Sequence, residues 1–123
     1  MILSDIQKEF ILNAESKALG TYGDNIHVIP VSTIFINNEQ IILCNYFMKN
    51  TIDNILQNPN VSLSCWSQTQ GIQIKGIVTY QETGDVFSWI QNIISQKYPH
   101  RILKGVLVIN PSDVYDTSLP QLL

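Results

Sequence analysis

Cys44-Asn45-Tyr46-Phe47-Met48-Lys49-Asn50-Thr51-Ile52-Asp53-Asn54-Ile55 joins an apolar strand, Gln40 to Phe47, to a helix that opens at Asn50 or Thr51. The turn between them is short, polar and basic. Unpaired N–H groups and the positive end of the helix dipole meet at such an opening, so an anion such as a phosphate is stabilised there. Lys49 adds a full positive charge, and Asn50 and Thr51 add short donors at the same point. Two readings are open from this stretch alone. Either Asn50 or Thr51 caps a surface helix, or the junction holds an anion.

Upstream, Ser4-Asp5-Ile6-Gln7 has the form of a capping box. Leu3, Ile6, Phe10 and Ala14 fall on one face, which predicts an amphipathic helix over residues 5–17. A short strand from Ala18 to Tyr22 ends in the turn Gly23-Asp24-Asn25, and a longer strand runs from Ile26 to Ile36. Asn37-Asn38-Glu39 then turns the chain back into Gln40 to Phe47.

Downstream, the helix at Thr51 is short because Pro59 stops it. Val61 to Ser67 and Ile72 to Tyr80 alternate apolar and polar residues, as half-buried strands do, with the turn Gln68-Thr69-Gln70-Gly71 between them. Gly84-Asp85 opens a helix with Val86, Trp89, Ile90, Ile93 and Ile94 on one face, ended by Tyr98-Pro99. A last strand, Gly105 to Ile109, continues past Asn110-Pro111 into Val114-Tyr115. Hairpin-length turns favour an antiparallel sheet. Six strands with few helices predict a mainly β (α+β) fold, a sheet curled into a small barrel with flanking helices, in a single domain over residues 1–123.

The chain is 45% hydrophobic and 14% charged, against roughly 25% charged for an average soluble protein, so little charge is left to cover the outside. That sparseness points to a self-association surface. No apolar run approaches the ~20 residues that span a bilayer, and the N-terminus does not read as a secretory signal, so the cytoplasm is expected and a membrane partner is not. The net charge of −3 and seven scattered basic residues argue against nucleic acid. Cys44 and Cys65 fall in expected strands with no C-x-x-C pair and no His cluster, which predicts buried, inert thiols and no metal site.

The chain resembles the pyridoxamine 5′-phosphate oxidase-like family of FMN-binding split barrels. The resemblance rests on Pro30-Val31-Ser32-Thr33, Asn45-Tyr46, Lys49-Asn50-Thr51, Asn54-Ile55, Asn58-Pro59-Asn60-Val61, Trp66, Ile72-Gln73-Ile74-Lys75-Gly76 and Val108 to Tyr115, and runs from the first helix to about Tyr115. It implies a six-stranded antiparallel split β-barrel that forms a homodimer and binds FMN in clefts at the dimer interface. It places the flavin phosphate against Lys49, Asn50 and Thr51. The ring would lie along Ile29, Pro30, Val31, Ser32 and Thr33 with main-chain hydrogen bonds, and Asn45 and Tyr46 would close one side.

Departures narrow the reading. Full-size oxidases of the family have an Arg-Lys pair where this chain has Lys49-Asn50, an Arg where register places Val28, and a Gln where Gly71 falls. They also carry a C-terminal segment with substrate-binding Arg and His that this sequence lacks. The resemblance therefore implies a short FMN-binding flavoprotein, an oxidoreductase passing hydride from a nicotinamide donor to FMN and on to a small acceptor. Two alternatives stand beside it: a non-enzymatic electron carrier or flavin store, and a split barrel that binds haem or deazaflavin. No catalytic residue is assigned, because the chemistry would belong to the cofactor.

Other residues read more plainly. Lys75, with Gln73 pointing the same way, is expected as a solvated side chain on a strand edge that could reach the cleft. His27 precedes the ring strand and is read as surface or packing, and His100 and Arg101 as solvating a turn. Trp66 and Trp89 are expected in the core or an interface, with Trp66 otherwise walling the cleft. The apolar tail, Leu119 with Leu122 and Leu123, is expected to pack on a partner subunit.

Overall fold

The computed structural model describes residues 2–120. Helix α1 (Asp5–Asn13) is followed by strands β1 (Ser16–Tyr22), β2 (Ile26–Pro30), β3 (Ile34–Asn37) and β4 (Gln40–Asn45). Helix α2 (Lys49–Gln57), strands β5 (Asn60–Ser67) and β6 (Gln70–Gln81), helix α3 (Asp85–Lys97) and strand β7 (Gly105–Asp116) complete the chain. Every pairing is antiparallel, and the strands form one sheet in the order β2-β1-β5-β6-β7-β4-β3.

That order, with one short link, forces a barrel. β2 and β3 are consecutive in sequence yet lie at opposite edges of the sheet, joined by Val31-Ser32-Thr33 alone. Laid flat, seven strands would put the two edges roughly 29 Å apart. A three-residue link spans at most about 14 Å. The sheet must curl until its edges nearly meet, and because they are not paired the barrel stays split along that seam.

The sequence predicts one strand from Ile26 to Ile36 where there are two, so the sheet has seven strands rather than six. Its class is unchanged. β2 follows β1 as far as the Ala18–Pro30 pair, and β3 takes up β4 at Ile34–Leu43. Residues 31–33 belong to neither ladder.

Side-chain alternation divides β4 and β7 between two cores. Ile41, Leu43, Leu107 and Ile109 join the barrel interior with Leu19, Leu63 and Ile74. Ile42, Cys44, Val106 and Val108 point outward and are covered by Ile90 and Ile94 of α3 and by Leu103. This second layer explains why β4 reads as an unbroken apolar run.

α1 starts on its capping box: the Gln7 N–H donates to Ser4 Oγ at 3.1 Å and the Ser4 N–H to Gln7 Oε1 at 2.9 Å. It ends at Asn13, four residues short of the expected end, because Ala14 is already extended and Ser16 pairs with Trp66. Its buried contacts are Leu3, Ile11 and Ala14 with Phe10 beside them, while Ile6, expected inside, is 81% exposed. Among the described residues no helix is long and apolar enough to cross a membrane.

α2 closes one end of the barrel with Ile55. Buried Asn54 ties it to the β1–β2 hairpin, its amide donating to Thr21 Oγ1 and to the Asn25 carbonyl, each at 3.1 Å. The tail folds back on its own molecule: the Thr117 and Leu119 N–H groups donate to the carbonyls of Gly71 (3.0 Å) and Thr69 (2.8 Å). Leu119 itself is exposed, and Leu122 and Leu123, on which the expected partner contact also rests, lie outside the described residues.

Candidate functional site

The seam between β2 and β3 faces the β4–α2 junction across a cleft of about 340 Å³. Of the ten residues singled out by sequence, nine line it: Ile29, Pro30, Val31, Ser32 and Thr33 on one wall, Tyr46, Lys49, Asn50 and Thr51 on the other. His27, Cys44, Phe47 and Met48 complete the lining. The volume falls in the range of small-ligand sites, roughly 300–1,000 Å³.

The wall at residues 31–33 is chain that has left one ladder and not yet joined the next. The Val31 N–H donates to the Lys17 carbonyl at 3.0 Å. The N–H groups of Ser32 and Thr33 lie outside both ladders. Backbone donors in a concave wall are what fixes the orientation of a planar polar ligand.

The opposite wall is built on Asn45. Its side chain is buried, donating from Nδ2 to the Tyr80 hydroxyl at 2.8 Å and accepting the Met48 N–H on Oδ1 at 2.7 Å. Asn45 is not part of the cleft lining. It holds the turn that presents Tyr46 to Lys49, which is a positioning task rather than the side wall that the resemblance implies.

α2 starts at Lys49, one or two residues earlier than expected, and Met48 at its N-cap makes no side-chain hydrogen bond. Neither Asn50 nor Thr51 caps it. The Lys49 N–H donates to the Phe47 carbonyl at 3.0 Å and the Ile52 N–H to the Met48 carbonyl at 3.3 Å. The first-turn N–H groups of Asn50 and Thr51 are left without such a partner, at the positive end of the helix.

Thr51 is 1% exposed, and among the described residues its hydroxyl has no hydrogen-bond partner. The Tyr46 hydroxyl is likewise buried and unpartnered. An unsatisfied buried hydroxyl costs on the order of 1–3 kcal/mol, so two flanking one cleft point to a polar ligand that satisfies them. Burial also pushes the Tyr46 phenol above its ordinary range, so it is a neutral donor near pH 7.

Arg101 also reaches this wall, where sequence reading assigns it only to a turn. Its guanidinium lies 4.1 Å from the Tyr98 ring centre and 5.3 Å from that of Tyr46, and Nη1 donates to Thr33 Oγ1 at 3.3 Å. Only the Tyr98-Pro99-His100-Arg101 run hints at it, as a cation set beside an aromatic ring.

Lys75 and Gln73 do not line the cleft. β6 lies between β5 and β7, so Lys75 is on no edge; its ammonium sits 5.4 Å over the Tyr115 ring, and Gln73 donates to Ser62 Oγ at 2.8 Å. Trp66 is partly exposed behind β2, beside Val28 and Pro30, and Trp89 meets Phe35 edge-on at 6.1 Å. Neither tryptophan is in the core of this chain. Both thiols are free and buried, and burial raises the pKa of Cys44 and takes that of Cys65 to about 11.

The family model described as pyridoxamine 5′-phosphate oxidase matches residues 3–118. No curated protein sequence matches the chain. Among solved structures, HupZ of Group A Streptococcus is similar with a TM-score of 0.84 at 14% identity, over 94% of each chain. An FMN-binding protein from Syntrophomonas wolfei subsp. wolfei has a TM-score of 0.78 at 18% identity, over 93% of this chain and 85% of its own. A NimC/NimA family protein from Clostridium acetobutylicum has a TM-score of 0.67 at 19% identity, over 91% of this chain and 90% of its own. At these identities the likeness is one of fold.

Proposed function

We propose, for a chain that belongs to the pyridoxamine 5′-phosphate oxidase family, that the seam cleft binds FMN and that the protein is a small flavin-dependent oxidoreductase. The observation that carries this reading is the buried, partnerless hydroxyl of Thr51 beside the unpaired N–H groups of a helix start. A phosphate fits that donor set: Thr51 Oγ1, the N–H groups of Asn50 and Thr51, and the Lys49 ammonium. The N–H groups of Ser32 and Thr33 would meet the polar edge of the ring, and the Tyr46 phenol would donate from the facing wall. When bound, the flavin supplies the redox chemistry, and the protein supplies orientation, donors and exclusion of water.

The protein is proposed to work as a homodimer. Phe47 at the mouth of the cleft is 90% exposed and Val28, behind the ring strand, is 63% exposed, more apolar surface than a cofactor mouth leaves open in a monomer. Sedimentation should then give twice the 13.9 kDa chain mass.

The decisive test is differential. Replacing both Lys49 and Thr51 (Lys49→Ala with Thr51→Val) should weaken FMN at least tenfold and leave riboflavin, which lacks the phosphate, within about twofold, since charge-assisted hydrogen bonds are each worth roughly 1.5–3 kcal/mol. Equal losses for both flavins would place the phosphate elsewhere. Steady-state oxidation of NADH or NADPH by the yellow protein would then separate an enzyme from an electron carrier.

A further inference from the structure

The cleft has a second cationic end. Lys49 and the start of α2 form one; at the other, Arg101, exposed and outside the lining itself, stands against the lining residues Thr33 and Tyr46. Arg101 is the sole arginine of the sequence. Aromatic rings hold it at 4.1 Å and 5.3 Å, Thr33 fixes one nitrogen, and among the described residues no carboxylate pairs with it: the one ion pair there is Lys8–Glu39. The two rings and Thr33 restrain the exposed guanidinium and shield part of its faces, which leaves the rest of its N–H edge as the hydrogen-bonding surface. An immobilised cation with no counter-ion, beside a cleft walled by Val31, Tyr46 and Phe47, is a preorganised receptor for an anion carrying an apolar body.

We infer that Arg101 is a substrate-anchoring residue, taking the carboxylate of a small, planar acid that enters the cleft beside the cofactor. This rests on the flavin reading for what the acid lies against, but not for the anchor itself. A carboxylate is favoured over a phosphate because the contacts to Thr33 and Tyr46 come from one cation with no helix start beside it. One guanidinium edge matches the charge and the two oxygens of a monoanion, whereas a phosphate dianion would be left half compensated.

The single arginine makes the test direct, since its Nε–H gives one side-chain resonance in nitrogen-labelled protein. Benzoate, benzamide and inorganic phosphate would each be titrated into the flavin-free and the FMN-loaded protein. Benzoate should move the resonance saturably in both, benzamide should not, and phosphate should need at least tenfold more ligand. Arg101→Gln should weaken benzoate at least tenfold by calorimetry, Arg101→Lys less, and neither should change the ratio of FMN to riboflavin affinity. The inference is overturned if benzamide matches benzoate, if phosphate binds as well, or if FMN but not riboflavin moves the resonance, which would assign Arg101 to the cofactor phosphate. Failure to take up FMN would sink the cofactor reading alone, because the flavin-free titration still decides the arginine.

Discussion

Two strands of this molecule meet a proline and fare differently. At Pro30 the β1–β2 ladder ends and, after one further bond from the Val31 N–H to β1, the chain crosses the seam; at Pro111 the strand bends and goes on to Asp116. The difference lies in the neighbours. β7 loses β4 at Ile109, but β6 continues beside it, shifting register between Lys75 and Gly76 so that Ser112 is accommodated as a bulge. β2 is an edge strand with β1 as its one neighbour; past Pro30 a single bond, from the Val31 N–H to the Lys17 carbonyl, still joins them, and no second strand keeps the chain in the sheet. A proline under a continuing neighbour makes a bend. A proline on an edge strand with a single neighbour lets the chain leave the sheet, and here the segment it frees lines the cleft.

The bulge is the place where the largest change in stability is expected. A Cβ on Gly76 would lie 2.5 Å from the Asn110 carbonyl oxygen and 2.9 Å from Ile109 Cγ2, so β6 and β7 must part to admit a side chain. Gly76→Val should cost about 3 kcal/mol, read as a lowered urea midpoint at unchanged slope. The cleft is built from other strands, so FMN affinity of the folded fraction should hold. An unchanged midpoint would mean that the Asn110 backbone yields freely and the register shift is not fixed by close approach.

Next in size is a pH effect from the fully paired side of the barrel. Cys65 sits on β5, with β1 and β6 on either side, and its thiol is raised by burial from 9.0 to about 11. In the unfolded chain the proton is lost first, so the folded state binds more protons between the two values. Stability is therefore intact below about pH 9 and falls as pH rises toward 11, by roughly 2–3 kcal/mol at about 1.4 kcal/mol per unit. Subtracting the profile of Cys65→Ala should isolate this loss from those of Cys44, Tyr46 and Tyr80, which burial also raises. Parallel profiles would show that the thiol is less confined than its surroundings imply.

On the seam side, Ser32→Pro removes one free N–H without touching a ladder. FMN and riboflavin should both weaken, by about five- to tenfold for one hydrogen bond, at an unchanged urea midpoint. This is the converse of the Lys49 and Thr51 variant, which separates the two flavins. Unaltered affinity for both would remove the Ser32 N–H from the ring-binding wall.

The same contrast accounts for what the sequence disclosed. Hairpins were legible where turn residues and alternation agree, as at Asn37-Asn38-Glu39 and across Val61 to Tyr80. The break at residues 31–33 was not, since Val31 and Thr33 favour strands and what lets β2 end is the absence of a second neighbour at the sheet edge. The α2 junction was located by its chemistry, yet Thr51 proved to be an orphaned first-turn hydroxyl instead of a cap, and Asn45 a brace under the turn. Ile6 turned outward because α1 presents Ile11 to the barrel. Arg101 meets Thr33 across 68 positions of sequence through a loop that no periodicity describes.

The smallest expected effect is the one that tests the comparison itself. If Pro30 were the cause of the break, Pro30→Ala would restore an N–H and let the strand run on toward Ile34. If the strand ends for want of a second neighbour, the new N–H has no ladder to join, because it faces away from β1: the next N–H along, that of Val31, is the one that reaches Lys17 at 3.0 Å, and successive N–H groups of an extended chain point to opposite sides. The substitution should then change stability by less than about 0.5 kcal/mol, as surface changes away from special features do. Hydrogen exchange gives the sharper reading. The Ser32 and Thr33 amides should exchange as fast in Pro30→Ala as in the native chain, and slow in both once FMN is added. Protection of those amides in the flavin-free variant would make the proline, and not the pairing, the feature that opens the cleft.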